Sequence, residues 1–245
     1  MDFDPKLMAT IGTSFITSLA AKGITGPAET INDLWKVSFG YPIHYFSEKR
    51  RIKYEINLQK FEKELTNKIL EIPKENVQEP KESIIGPALE ASKYYFDEEE
   101  IRELFANLIA SSMDSTYNGL VQHSFVEIIK QLSPYDAKFL ATIENDLQTY
   151  DLKDNQVIFY RLFGLTHDFL DYQKNSVAIT NLHRLGLLDL IQYFQITASP
   201  QKEFLLNSQT ILELKKNKEF SMQPHTYVLS SLGEIFKKVC IKDSL

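Results

Sequence analysis

Apolar residues recur at helical spacing through the first half of the chain. Tyr54, Leu58, Phe61, Leu65 and Ile69 repeat every three or four positions across residues 47–72, which predicts a long amphipathic helix. Charged residues of both signs (Glu55, Lys60, Glu62, Lys63, Glu64) fill the gaps, as on a solvated face. Residues 84–96 resume a helix with Ile85, Leu89, Ser92 and Phe96 aligned and Pro87 near its start. Three helices then follow between residues 97 and 140. Ile101, Leu104, Phe105, Leu108 and Ile109 share a face of the first, and Phe125, Ile128, Ile129 and Leu132 a face of the second. Asp97 with Glu100, and Ser124 with Glu127, have the spacing of capping boxes. Ser133-Pro134 starts the third helix, with proline at the first position, where its missing N–H costs nothing.

Beyond residue 140 the pattern changes. Residues 145–155 are polar and acidic, and 156–165 fit either a helix or a strand. Residues 176–185 form a helix with Ile179, Leu182 and Leu185 on one face and Gly186 as a left-handed stop. Residues 187–197 are β-prone. A long polar stretch, 198–223, touches the core through Phe204, Leu205, Ile211 and Leu212. A short strand at 227–230 feeds a closing helix, 232–241, that buries Ile235, Phe236 and Val239. This order of elements, with NLHRLGLLDL answered by YVLSSLGEIF, resembles the end of a winged-helix domain. The expected fold is mainly α with a small antiparallel β element: an N-terminal helical bundle followed by a winged-helix-like C-terminal domain. The expected divisions are an aromatic and amphipathic segment at 1–46, a helical domain at 47–132 and a winged-helix-like domain at 133–245. Ser133-Pro134 is the expected hinge between the last two.

Composition agrees with a helical protein. Only nine Gly and nine Pro occur in 245 residues. A single cysteine, Cys240, excludes an internal disulfide or a multi-cysteine zinc site and fits a reducing cytoplasm. Net charge is −6, with 15 basic against 20 acidic residues in 1–133 and 12 against 13 in 134–245. Neither half is the basic surface of a general nucleic-acid binder. No apolar run is long enough for an ordinary transmembrane helix. Residues 7–21 are apolar but interrupted, and Asp2 and Asp4 precede Lys6, so a secretory signal is not expected. The expected location is cytoplasmic.

Two surface features carry alternative readings. Trp35, Val37, Phe39, Tyr41, Tyr45 and Phe46 form an aromatic cluster, read first as a hydrophobic plug and second as part of a membrane or partner contact through residues 7–46. Lys49, Arg50, Arg51 and Lys53 form a basic knot that is read as solvated, with phosphate binding as the alternative.

No catalytic constellation is recognisable. Nucleophile-elbow, phosphate-loop and dinucleotide-binding glycine patterns are missing. His167-Asp168 resembles one element of a metal phosphohydrolase without the remaining ligands, and His44, His123, His183 and His225 have no metal-binding spacing. Asp168 and Asp171 would share a helical face, an ordinary surface arrangement, and Cys240 reads as a small core residue. The expectation is a non-enzyme with no catalytic, cofactor or metal residues. Duplex DNA binding would fall to Arg184 on the 176–186 helix, near Asn181 and His183, and to a basic wing of Lys215, Lys216 and Lys218, with Lys202 on the hairpin. That is few cations for phosphate neutralisation. A module for protein contact is the preferred reading.

Four segments, in order, resemble the abortive infection alpha family of bacterial phage-resistance proteins. They are IRELFANL (101–108), HSFVEIIKQLSPYDA (123–137), NLHRLGLL (181–188) and YVLSSLGEIFKKVC (227–240), within a likeness that runs from about residue 26 to 240. Ser230-Ser231 departs mildly from it, where a threonine is expected early in the closing pattern. The resemblance implies defence against bacteriophage by sacrifice or arrest of infected cells, and carries over no catalytic residues. The expected partner is a protein of host or phage origin, or a second copy of the chain. A winged-helix DNA-binding regulator and a membrane-active effector are the alternatives.

Overall fold

The computed structural model describes residues 17–39, 48–144, 147–154, 157–163, 169–191, 212, 213, 216, 219 and 221–241. Tyr41, Tyr45 and Phe46 of the aromatic cluster lie outside these, as do His44, His167, Asp168, Lys202, Phe204, Leu205, Ile211, Lys215 and Lys218. The protein is mostly helical with a small antiparallel sheet. It divides into two compact units, Met1–Pro134 with Phe236–Leu245, and Tyr135–Ile235.

The first unit contains α1 (Gly26–Phe39), α2 (Glu48–Leu70), α3 (Glu82–Ser92), α4 (Glu99–Ser112) and α5 (Ser124–Ile129), together with a π-helical turn, Lys237–Ile241, at the end of the chain. Helix α4 is its centre and touches α2, α3, α5 and the π turn. The spacing predicts one buried face for α4, but the helix is buried from Ile101 to Ser112 except at Glu103. The positions away from the Leu and Phe residues include Ala106, Asn107, Ala110 and Ser111, short enough for neighbours to close in on that side as well.

The helix starts differ from the pattern read in the chain. Glu98, not Asp97, is the N-cap of α4 and makes no side-chain cap bond. The Asp97 carboxylate accepts instead from the Lys53 ammonium at 2.7 Å. Helix α5 also starts without a side-chain cap, and Glu127 pairs with Lys130 at 2.9 Å. In both cases a carboxylate of the expected box makes a charge-assisted bond to a nearby ammonium.

Trp35 and Phe39 of the aromatic cluster pack as a plug inside this unit, whereas Val37 is 71% exposed. Trp35 is 4% exposed and stacks on Phe61 at 5.7 Å. Phe39 meets Trp35 at 4.5 Å and Phe96 at 5.6 Å, and Phe61 meets Phe96 at 5.2 Å. The hydrophobic face of α2 reaches the core through Leu58, Phe61, Leu65 and Ile69. The proline-bracketed loop after α2 is fastened to the end of α4. Gln78 N–H donates to the Met113 carbonyl at 2.9 Å, and Gln78 Nε2 donates to Ser112 O and to Asn118 Oδ1.

The second unit holds α6 (Pro134–Ala141), α7 (Phe169–Arg184) and the start of α8 (Ser231–Phe236), with strands β1 (Leu147–Asp154), β2 (Val157–Phe163), β3 (Leu188–Ile191) and β4 (Ser221–Leu229). Proline opens α6 as the sequence predicts. The strands form one antiparallel sheet in the order β2-β1-β4-β3. The polar stretch expected from residue 145 onward is strand β1, paired on both sides. Its polarity hid it, yet Leu147, Thr149 and Tyr150 are buried.

Strand β4 begins six residues before the predicted 227, and it contains Pro224. Proline has no N–H to give a ladder and is rare inside a sheet. Here β3 pairs only with Thr226–Leu229, so among the described residues Pro224 has a strand neighbour, Tyr150 of β1, on one side alone. Helix α7, β3, β4 and α8 follow in the order read from the sequence, with β3 and β4 paired. Gly186 ends α7 at φ +74°, and Leu187 N–H returns to Leu182 O at 2.9 Å, the expected left-handed stop.

Candidate functional site

Polar residues of the second unit meet between α6 and α7. Tyr135 and Asp136 lie in the first turn of α6, so their side chains meet α7 about one and a half turns apart. Tyr135 donates from its hydroxyl to Asn175 Oδ1 at 2.5 Å, and Lys174 stands 5.9 Å over the Tyr135 ring. Asp136 is 4% exposed, and its Oδ2 accepts from Asn181 Nδ2 at 2.9 Å. Asn181 Oδ1 in turn accepts from Arg184 Nη2 at 2.8 Å and Nε at 3.2 Å. The buried carboxylate is thereby linked, through one amide, to a cation at the surface.

The end of α7 is closed by backbone-directed bonds. His183 Nδ1 lies 2.8 Å from Leu188 O, and its ring meets Tyr227 edge-on at 5.5 Å. Ser230 Oγ donates to Gly186 O at 2.5 Å and accepts from Gly233 N–H at 2.9 Å. A Cβ at Gly233 would stand 2.1 Å from Leu187 O, so only glycine lets α8 approach this turn.

The first unit has a second polar cluster, between α2 and α4. Arg102 Nε donates to Glu64 Oε2 at 2.9 Å, and its Nη1 donates to Phe96 O at 2.9 Å. Lys68 and Glu103 pair at 3.0 Å beside them. Burial holds the Glu64 carboxyl above its ordinary value, and Arg102 and Lys68 only partly offset that. Burial likewise raises Glu62. Asp97 moves the other way, lowered first by its bond from Lys53. Burial also pushes the Tyr54 phenol far above its usual range, aided by Glu90.

Asn107 and Ser111, one turn apart on α4, form the third cluster. Asn107 Nδ2 donates to Cys240 O at 2.9 Å and to Ile241 O at 3.4 Å, while Ser111 Oγ donates to Val239 O at 2.9 Å. The last carbonyls of a helix lack partners of their own. Two side chains of α4 supply them here. Sequence reasoning missed this pair; its signal is two polar residues four apart in the otherwise apolar run from Leu104 to Ser111.

Of the residues singled out for nucleic-acid contact, Arg184 and Lys216 are exposed, and Arg184 is held by Asn181. Lys215 and Lys218 fall outside the described residues. Lys49 and Arg50 of the basic knot are exposed, and Lys53 is paired with Asp97. Cys240 is fully buried. Among the described residues no three or more His, Cys, Asp or Glu side chains form a group able to hold a metal ion. No helix among them is long and apolar enough to cross a membrane.

Fold and clusters together define a mainly helical protein with a small antiparallel sheet, whose buried polar side chains tie helix ends to one another. The chain belongs to the abortive infection alpha family, whose model matches residues 53–240. That span includes Asn107 and Ser111 with their acceptors at Val239 and Cys240, and Asp136 with Asn181. No curated protein and no solved structure matches the chain.

Proposed function

We propose that this chain defends bacterial cells against phage by abortive infection, without catalysing a reaction. It acts in the cytoplasm through contacts with a protein of host or phage origin, or with further copies of itself. The family match over residues 53–240 carries the defence reading. The use made of the polar side chains supports the mode of action. Asn107, Ser111, Asp136, Asn181 and Ser230 donate to or accept from groups of their own unit. These bonds hold helix ends, and in this reading recognition falls to exposed surfaces. In this reading the winged-helix-like part is a module for protein contact, and the Asp136–Asn181–Arg184 chain keeps α7 in a single presentation toward its partner.

The test is expression of the protein in a phage-sensitive bacterial host, with plating efficiency measured over a broad phage panel. At least one phage should plate less efficiently on the expressing cells, with infected cells failing to release progeny. Unchanged plating across the panel would overturn the reading.

A further inference from the structure

One face of α2 stands apart from the charge balance of the chain. Lys49, Ile52, Lys53, Ile56, Lys60 and Lys63 are all exposed. At 100° per residue they fall within one broad stripe, which runs roughly 21 Å from Lys49 to Lys63. The acidic residues of the same stretch, Glu55, Glu62 and Glu64, are half-buried on the flanks of the helix, so among the described residues α2 itself places no carboxylate within the stripe. Lys53 gives one bond to Asp97, itself half exposed. Lys49, Lys60 and Lys63 make no ion pair among the described residues. In a protein of net charge −6 this stripe is a local concentration of positive charge.

Its apolar members identify the occupant. Ile52 is 47% and Ile56 49% exposed, one turn apart between the lysines. Tyr94, 77% exposed, stands three residues before Asp97, at the Lys53 end. A nucleic-acid groove would present phosphates to the lysines and leave two isoleucines facing charge. The surface of an anionic bilayer accepts both. Apolar side chains enter the boundary between headgroups and acyl chains, lysine stems lie along it with their ammonium groups among the phosphates, and tyrosine favours the same level.

We infer that the exposed face of α2 docks on an anionic lipid surface. Binding is peripheral and electrostatic, with Ile52 and Ile56 as shallow anchors. It does not depend on the defence reading.

Co-sedimentation of the full chain with vesicles tests this. Equimolar phosphatidylglycerol and phosphatidylcholine should pellet the protein at low salt, and phosphatidylcholine alone should not. Raising salt to about 0.5 M, where exposed charges are screened over a few ångströms, should release it. Exchanging Lys49, Lys60 and Lys63 for glutamine should weaken binding roughly fivefold per lysine, and on the order of a hundredfold together. The double variant Ile52→Ser, Ile56→Ser should also weaken it while leaving all the lysines in place. Circular dichroism confirms that each variant is folded. The inference falls if the protein fails to pellet with anionic vesicles at low salt, or if folded lysine variants bind as well as the parent. It falls equally if the lysine exchanges abolish binding to duplex DNA while vesicles are ignored.

Discussion

Asn107 links α4 to the last residues of the chain with one carboxamide. Its donor reaches Cys240 O and Ile241 O, at a helix end where backbone carbonyls lack intrahelical partners. Replacing Asn107 with alanine removes that donor at a fully buried position and leaves a small void. Loss of about 2 kcal/mol is expected, since removing one partner of a buried hydrogen bond costs on the order of 1–3 kcal/mol. Urea denaturation of the two proteins measures it, and a midpoint unchanged within error would show that the bonds contribute nothing net. Gly233 and Ser230 make a similar argument through space. Ser230 bridges Gly186 O and Gly233 N–H, and no side chain fits between Gly233 and Leu187 O.

At the scale of elements, the contact between α2 and α4 combines a hydrophobic face with partly buried charge. Arg102, Glu64, Lys68 and Glu103 are arranged so that each carboxylate has a cation. Glu62, raised by burial, has no cationic cause offsetting its shift. A carboxyl whose folded pKa lies above its unfolded value stabilises the fold fully below the unfolded value, here near 4.5. That contribution is lost as pH rises through the folded value. Glu62→Gln cannot ionise and escapes this loss. From about pH 4 upward, the parent should therefore lose stability relative to the variant until Glu62 is fully ionised. Asp97, lowered by Lys53, has the opposite sign: its contribution is present above its ordinary value near 3.8 and disappears in acid. Denaturant midpoints of parent and Glu62→Gln taken across pH 3–8 test the first claim; parallel curves would refute it.

For the molecule as a whole, the first unit is discontinuous in sequence. It is formed by Met1–Pro134 and completed by Phe236–Leu245. Phe236 meets Phe125 edge-on at 5.3 Å, and the turn that follows receives the donors of Asn107 and Ser111. A fragment ending at Pro134 would expose the side of α4 that this segment covers. Fragment 1–134 should melt without a cooperative transition, and a longer chain that retains residues 236–245 should regain one. Calorimetry of the fragment would show this directly. A sharp transition in 1–134 alone would mean that the closing segment is dispensable.

Much of the local structure was legible in the residue pattern. The face Leu58-Phe61-Leu65-Ile69, proline at the start of α6, and Gly186 as the stop of α7 follow from periodicity and backbone chemistry, which act over a few residues. So does the mainly helical class with its small antiparallel sheet. The resemblance of four segments to one family was also legible, because it lies in residue identities. Tertiary structure decided the rest, where competing partners lie far apart in the chain. Lys53 took Asp97 away from its cap across 44 residues. A polar strand found two pairing neighbours, and α4 was enclosed on all sides when the final turn returned to it. Spacing along one helix shows which side is apolar. Only packing shows what will cover the other side, and for α4 that cover is the end of the same chain.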